Sequence, residues 1–245
     1  PGAFSIASSR KFYVNDAWSA GDAWCTAVGD DGNSGLSPAT PKATVQAILA
    51  AYDLEPGDVV RIDTGTYDLS AIGSIAVSSA HAGSVTAPVI FEASPYGVIF
   101  DRGNTAPGSY GWHIQSGASY VTLRTAVSDA HPELSQRWMR VAGADNGVHI
   151  QGNHCRIERV DAVCNRTIGI YVGATFATLI NCLACGTTST ADGTGIYVAT
   201  ANASIANCTV DGNGKYGVRT GSFTGTLSLR NNIIRADGAG TYAMY

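Results

Sequence analysis

Six side chains stand at the same place in six similar segments. His113, His149, Tyr171, Tyr197, Arg219 and Tyr242 each lie two residues after a glycine: Gly111, Gly147, Gly169, Gly195, Gly217 and Gly240. Imidazole and phenol rings are flat and apolar across their faces and polar at the tip. Arg219 adds a planar fork of donors that matches a carboxylate. If the segments stack as strands about 4.8 Å apart, the six side chains form a stripe roughly 24 Å long. Sugar rings in an extended chain repeat every ~5 Å, close to the strand spacing. The chemistry this offers is contact with four or five sugar rings. The plainer reading is that cross-strand aromatic pairs stabilise a sheet, at ~0.2–1 kcal/mol each.

The elements that must position these side chains repeat. The glycine-led segments Gly111-Trp112-His113-Ile114, Gly147-Val148-His149-Ile150, Gly169-Ile170-Tyr171-Val172, Gly195-Ile196-Tyr197-Val198 and Gly217-Val218-Arg219-Thr220, with a weaker one at Gly240, are spaced 36, 22, 26, 22 and 23 residues apart. A second pattern keeps step: Ile157-Glu158-Arg159, Leu179-Ile180-Asn181, Ile205-Ala206-Asn207 and Leu229-Arg230-Asn231. Short strands with Gly and Asn turns at this period describe a solenoid of parallel strands. Strand alternation sends Trp112, Ile114, Val148, Ile150, Ile170, Val172, Ile196 and Val198 inward and the stripe outward. Asn181, Asn207 and Asn231 are expected to form a side-chain ladder inside a turn, with Arg159 interrupting it. The long first spacing carries about 14 extra residues, among them Asp129, His131, Pro132, Glu133, Arg137, Trp138 and Arg140. Long loops on rigid scaffolds often carry function. This one is expected to border the His113 and His149 rungs, with Trp138 on the groove.

Ahead of the repeats, Phe12-Tyr13-Val14 starts a strand and Asp58–Asp63 forms another. Between them Thr44 caps a helix over Val45–Leu54, whose apolar residues Val45, Ile48, Leu49 and Tyr52 fall on one face. One amphipathic helix before a strand array reads as the lid on the first rung. The expected organisation is a tail or linker over 1–11 and one domain over 12–245, with a cap at 12–67 and rungs from 68 continuing past 245.

These features resemble the pectate-lyase-like proteins of bacterial secretion. The G-[IV]-[YH]-[VI] strand, the [IL]-x-N-[CN] strand and the opening Asn33–Thr44, Pro56-Gly57-Asp58 and Gly65-Thr66-Tyr67 carry the resemblance. It implies an all-β fold, a right-handed parallel β-helix with a short N-terminal capping α-helix, and an extracellular or cell-surface location. It does not choose among lyases, hydrolases, epimerases, binding modules and adhesins. The leading expectation is a non-catalytic polysaccharide-binding module of a larger polypeptide, contacting glycan through His113, His149, Tyr171, Tyr197, Arg219, Tyr242 and Trp138. A lyase or epimerase acting on uronic-acid polymers is the alternative, with Arg219, Lys215 and His149 as bases or clamps. A structural stalk or adhesin segment is the third. The outward acids Glu158 and Asp161 have no evident stacking partners, which argues against the paired carboxylates of a hydrolase. No cofactor is required. Calcium has one weak candidate in Asp30, Asp31 and Asn33, which lack the spacing of an EF-hand loop.

Six cysteines (Cys25, Cys155, Cys164, Cys182, Cys185 and Cys208) allow 15 pairings, and the spacing selects none. A formal charge of −4 and only three lysines disfavour nucleic acid and anionic membrane as partners. No apolar run is long enough to insert in a membrane. With neither initiator Met nor signal peptide, the chain reads as a mature product or excised piece.

Overall fold

The computed structural model describes residues 9–128, 138–235 and 242–245. Among these residues the chain coils through three parallel sheets, visited in the same order on each turn. The first sheet holds Lys11–Val14, Val59–Ile62, Val89–Ala93, Val121–Thr125, Arg156–Glu158, Thr178–Ile180, Ala203–Ala206 and Leu227–Arg230. The second holds Gly65–Asp68, Val98–Asp101, Met139–Ala142, Val160–Val163, Leu183–Cys185, Thr209–Asp211 and Ile233–Ile234. The third holds Ile75–Val77, Tyr110–Ile114, Asn146–Ile150, Ile168–Val172, Thr194–Val198, Tyr216–Thr220 and Tyr242–Met244. This is a right-handed parallel β-helix with one short capping helix.

The inward set follows the alternation. Trp112, Ile114, Val148, Ile150, Ile170, Val172, Ile196 and Val198 on the third sheet face Ile157, Leu179 and Ile205 on the first, all buried. Leu229, in the last rung, is only half-buried, and Ile233, Met244 and Tyr245 beside it are exposed. The recurring glycine has a steric cause. A Cβ on Gly195 would stand 2.4 Å from Val210 Cγ1 and 2.9 Å from the Gly217 carbonyl oxygen, so no side chain fits where the second sheet bends into the third.

The asparagine column forms for a reason other than a side-chain ladder. Arg159, Asn181, Asn207 and Asn231 have φ of 54°, 54°, 55° and 52°, each at the tight corner between the first and second sheets. Asn tolerates this left-handed conformation better than most residues. What stacks is backbone: Arg159 N donates to Ile180 O at 3.1 Å, Asn181 N to Ala206 O at 3.1 Å and Asn207 N to Arg230 O at 3.0 Å. Asn207 and Asn231 point into solvent. Arg159 therefore continues the column rather than breaking it. All six cysteines are free, and Cys155, Cys182 and Cys208 fill core positions as thiols.

The helix spans Val45–Ala51 and buries Val45 and Ile48 over the first rung. It ends three residues before the expected Leu54, because Tyr52 turns extended, stacks 4.9 Å from Phe12 and donates its hydroxyl to Ser34 O. Thr44 Oγ1 accepts from Ala47 N at 3.1 Å. Thr44→Ala is expected to cost about 1 kcal/mol in chemical denaturation, and an unchanged midpoint would show that the cap is redundant. The folded chain begins earlier than residue 12: Arg10 N donates to Asp58 Oδ1 at 2.8 Å and its Nε to Oδ2 at 3.0 Å.

Candidate functional site

On the third sheet, His113, His149, Tyr171, Tyr197 and Arg219 occupy five consecutive strands in exact register partnership. Tyr242 does not continue that column. It pairs with Tyr216, three residues before Arg219, and stacks on its ring at 5.6 Å. Tyr245 takes the place beside Arg219, since its N donates to Val218 O and its carbonyl accepts from Thr220 N. The glycine alignment at Gly240 was out of step, because Ala243 is the residue opposite Gly217.

The stripe divides into a sealed part and an open part. His149 is 8% exposed. Tyr171 lies flat on one side of it (4.2 Å, 8° between planes), and Tyr110 and His113 pack at 4.5 and 5.1 Å. Its Nδ1 meets Asn146 Nδ2 at 3.1 Å. Burial, aided by the His113 ring, pushes its pKa down to about 4, against the pull of Asp145. His149 is thus a neutral packing ring. His113 Nε2 meets Gln151 Oε1 at 2.9 Å. Tyr171, Tyr197 and Arg219 are half-exposed. The Arg219 guanidinium sits 5.3 Å from the Tyr197 ring and 5.0 Å from the Tyr216 ring. It has no acidic partner among the described residues, so its donors remain available on a held platform. Lys215 donates Nζ to Ala191 O at 2.9 Å and lies over Tyr216.

Trp138 lies elsewhere. The long insertion joins Val121–Thr125 to Met139–Ala142, so it spans the corner between the first and second sheets, away from the third. Trp138, at its end, lines a second-sheet cleft rather than a groove beside His113 and His149. Asp129, His131, Pro132, Glu133 and Arg137 lie outside the described residues. Trp138 and Arg140 line a cleft on the second sheet with Asp161.

The acids also have partners that the sequence did not reveal. Arg61, Glu92, Arg124 and Glu158 stand in register on the first sheet as a column of alternating charge. Arg124 Nη2 meets Glu92 at 2.6 Å, and Glu158 is held by Arg156 and Arg159. A cleft of about 510 Å³ beside this column also contains Trp24, which the Arg61 guanidinium covers at 4.8 Å. Its arginines are already committed to internal partners. Asp31 accepts from Thr44 N, Asp30 from Gly32 N, and Asn33 donates to Pro41 O. These three groups brace the loop ahead of the helix. No group of three or more metal-ligating side chains forms among the described residues.

One column escaped sequence reasoning. Tyr120, His154 and Phe176 stack as parallel rings 4.7 Å apart at the corner from the third sheet to the first. Their φ values of 56°, 58° and 61° are unfavourable for such residues, and the stacking offsets that strain. Only the spacing Tyr120, His154, Phe176 could have signalled it.

No family model and no curated protein matches the chain. Solved structures do. A pectate lyase, Pel9A, superposes with a TM-score of 0.68 at 19% identity, over 92% of this chain and 54% of its own. An alginate lyase from Paenibacillus sp. str. FPU-7 gives 0.50 at 15%, over 76% and 71%. A rhamnogalacturonan lyase gives 0.50 at 17%, over 96% and 65%. The chain thus spans about half the length of the pectate lyase. At these identities the likeness establishes the parallel β-helix fold.

Proposed function

We propose that the chain is a polysaccharide-binding module that holds an extended acidic glycan along Tyr171, Tyr197 and Arg219 on the third sheet. The observation that carries this reading is the Arg219 guanidinium, clamped between Tyr197 and Tyr216 with no carboxylate of its own. A cation placed on ring faces is pre-organised for an anion, so less side-chain freedom is lost on binding. The tyrosines beside it offer ring surface to the sugar. Likeness to three polysaccharide lyases supports a glycan as the ligand class. Binding is favoured over β-elimination because, of the candidate bases, His149 is sealed and Lys215 is engaged by Ala191 O. Secretion and a place within a larger polypeptide belong to the same proposal.

Affinity electrophoresis in polygalacturonate gels tests it. Retardation is expected, and a folded Tyr171→Ala/Tyr197→Ala variant should bind at least tenfold more weakly, a loss of about 1.4 kcal/mol. Absence of retardation, or an unaffected double variant, sinks the reading. Ultraviolet absorbance from unsaturated uronate products in the same samples would make the chain a lyase.

A further inference from the structure

A second face of the β-helix carries polar groups that the fold leaves without partners. On the second sheet, Arg140 and Asp161 are neighbours in register. They form no ion pair within 4 Å, and Arg140 makes no hydrogen bond among the described residues. Asp161 Oδ1 is buried with no hydrogen-bond partner. A buried acceptor left unpaired is costly, and native structures rarely keep one without a use. Both residues line one cleft of about 390 Å³, walled by Trp138 and Tyr96 and floored by Thr66. A second cleft, also about 390 Å³, shares that floor and ends at Trp18, which is 75% exposed. The two clefts share Thr64, Gly65 and Thr66 and are taken together as one trough, with Trp138 in the lining of one and Trp18 in that of the other.

We propose that this trough is a binding site for a neutral oligosaccharide, separate from the third-sheet face and independent of what that face binds. Rings at Trp138, Tyr96 and Trp18 offer flat surfaces to the C–H faces of sugars. Asp161 Oδ1 accepts from a sugar hydroxyl, and the Arg140 fork donates to hydroxyl and ring oxygens. The ligand is uncharged because a second carboxylate beside the buried Asp161 Oδ1 would be repelled at close range. Asp161 already bears this cost: burial pushes its pKa up to about 6, and Arg140 only partly pulls it back. The neighbouring cleft on the first sheet makes a contrast, since its arginines are occupied by Glu92 and Glu158. From Thr66 to Asp161 the trough crosses four strands, about 14 Å, the length of roughly three sugar units.

The test is calorimetric titration of the whole chain with cello-, xylo-, manno- and β-1,4-galacto-oligosaccharides, with tri-galacturonate as the anionic control and tryptophan emission followed in parallel. At least one neutral oligosaccharide should bind and shift the emission. Trp138→Ala should weaken it at least tenfold, and Asp161→Ala and Arg140→Ala should each weaken it severalfold. Tyr171→Ala/Tyr197→Ala should leave it unchanged, which separates this site from the third-sheet face. The proposal is overturned if no neutral probe binds, or if tri-galacturonate alone binds in a Trp138-dependent way. It is also overturned if Arg140→Ala, a change of an exposed side chain that keeps the fold intact, leaves affinity within twofold.

Discussion

Trp112→Ala is expected to lower folding stability by about 3–5 kcal/mol. Trp112 is completely buried at the centre of one rung. It points inward from the third sheet and meets Phe91 of the first sheet at 5.2 Å and Phe100 of the second at 5.3 Å, edge-on to both. All three walls of the coil therefore close on this one ring. Its removal leaves a void that parallel strands pinned by neighbouring rungs cannot collapse to fill, which is the condition under which cavity costs are largest. The indole also has a weakness, because Nε1 is buried with no acceptor. Trp112→Phe deletes that orphaned donor along with some packing, so the two effects oppose and the net change should stay within about 1–2 kcal/mol. Urea denaturation of both variants checks the pair. An alanine variant within 1 kcal/mol of the parent, by the lower bound of this estimate, would mean that the rung relaxes around the gap.

Why was the coil legible in the sequence, and the site much less so? Period and alternation are properties of every rung, so Ile170, Val172, Ile196 and Val198 repeat the same instruction and agree. The glycine that leads each third-sheet strand also repeats, because the same backbone approach excludes a Cβ each time. Features set by neighbours in space are not repeated along the chain. Glu92 finds Arg124 only when the first-sheet register is known, since 32 residues separate them. Trp138 falls on the second sheet because its insertion belongs to a different corner than its distance from His113 suggested. Tyr242 was misplaced because the Gly240 match is weak and the true partner of Gly217 is Ala243, a three-residue shift that puts Tyr242 against Tyr216. The asparagine turns fall at the corner that the pattern predicts, but for a different physical reason. Their conserved spacing within the chain reports a backbone torsion, not a hydrogen-bonded ladder of amides.

The two outward faces differ in how completely they satisfy themselves. On the third sheet, ring packs on ring from Tyr110 through His113, His149, Tyr171 and Tyr197, so most aromatic surface is already used in stabilising the stack. Only the Arg219 end keeps a charged group in reserve. On the second sheet, fewer rings are present, but Arg140 and Asp161 are register neighbours that form no ion pair, and Asp161 Oδ1 is left without a hydrogen-bond partner. Stability arguments account for the first arrangement almost entirely. They do not account for the second, which costs stability as it stands.

The His149→Phe variant should be less stable than the parent near pH 7.5 and equal or more stable near pH 4.5. In the folded chain burial and the His113 ring hold the His149 pKa down at about 4, against 6.5 for an unfolded histidine. Its folded pKa is depressed, so the unfolded chain binds the proton first. The stability contributed by a neutral His149 is therefore fully present above pH 6.5 and is lost as pH falls toward 4. The gap of about 2.5 units corresponds to a loss of about 2 kcal/mol by pH 5 and about 3 by pH 4. Asp161, held up near 6 by burial, works in the opposite direction: the folded chain takes its proton first, and acid relieves a strain. Parent stability alone thus mixes the two signs, and the difference between parent and variant isolates the imidazole. Phenylalanine keeps a flat ring against Tyr171 but loses the bond to Asn146, which sets its deficit at neutral pH at about 1 kcal/mol. The deficit should shrink steadily below pH 6.5 and cross zero between 6 and 5. Parallel urea midpoints for the two proteins across that range check the crossing, and a deficit that stays constant down to pH 5 would mean that burial does not hold the imidazole pKa down.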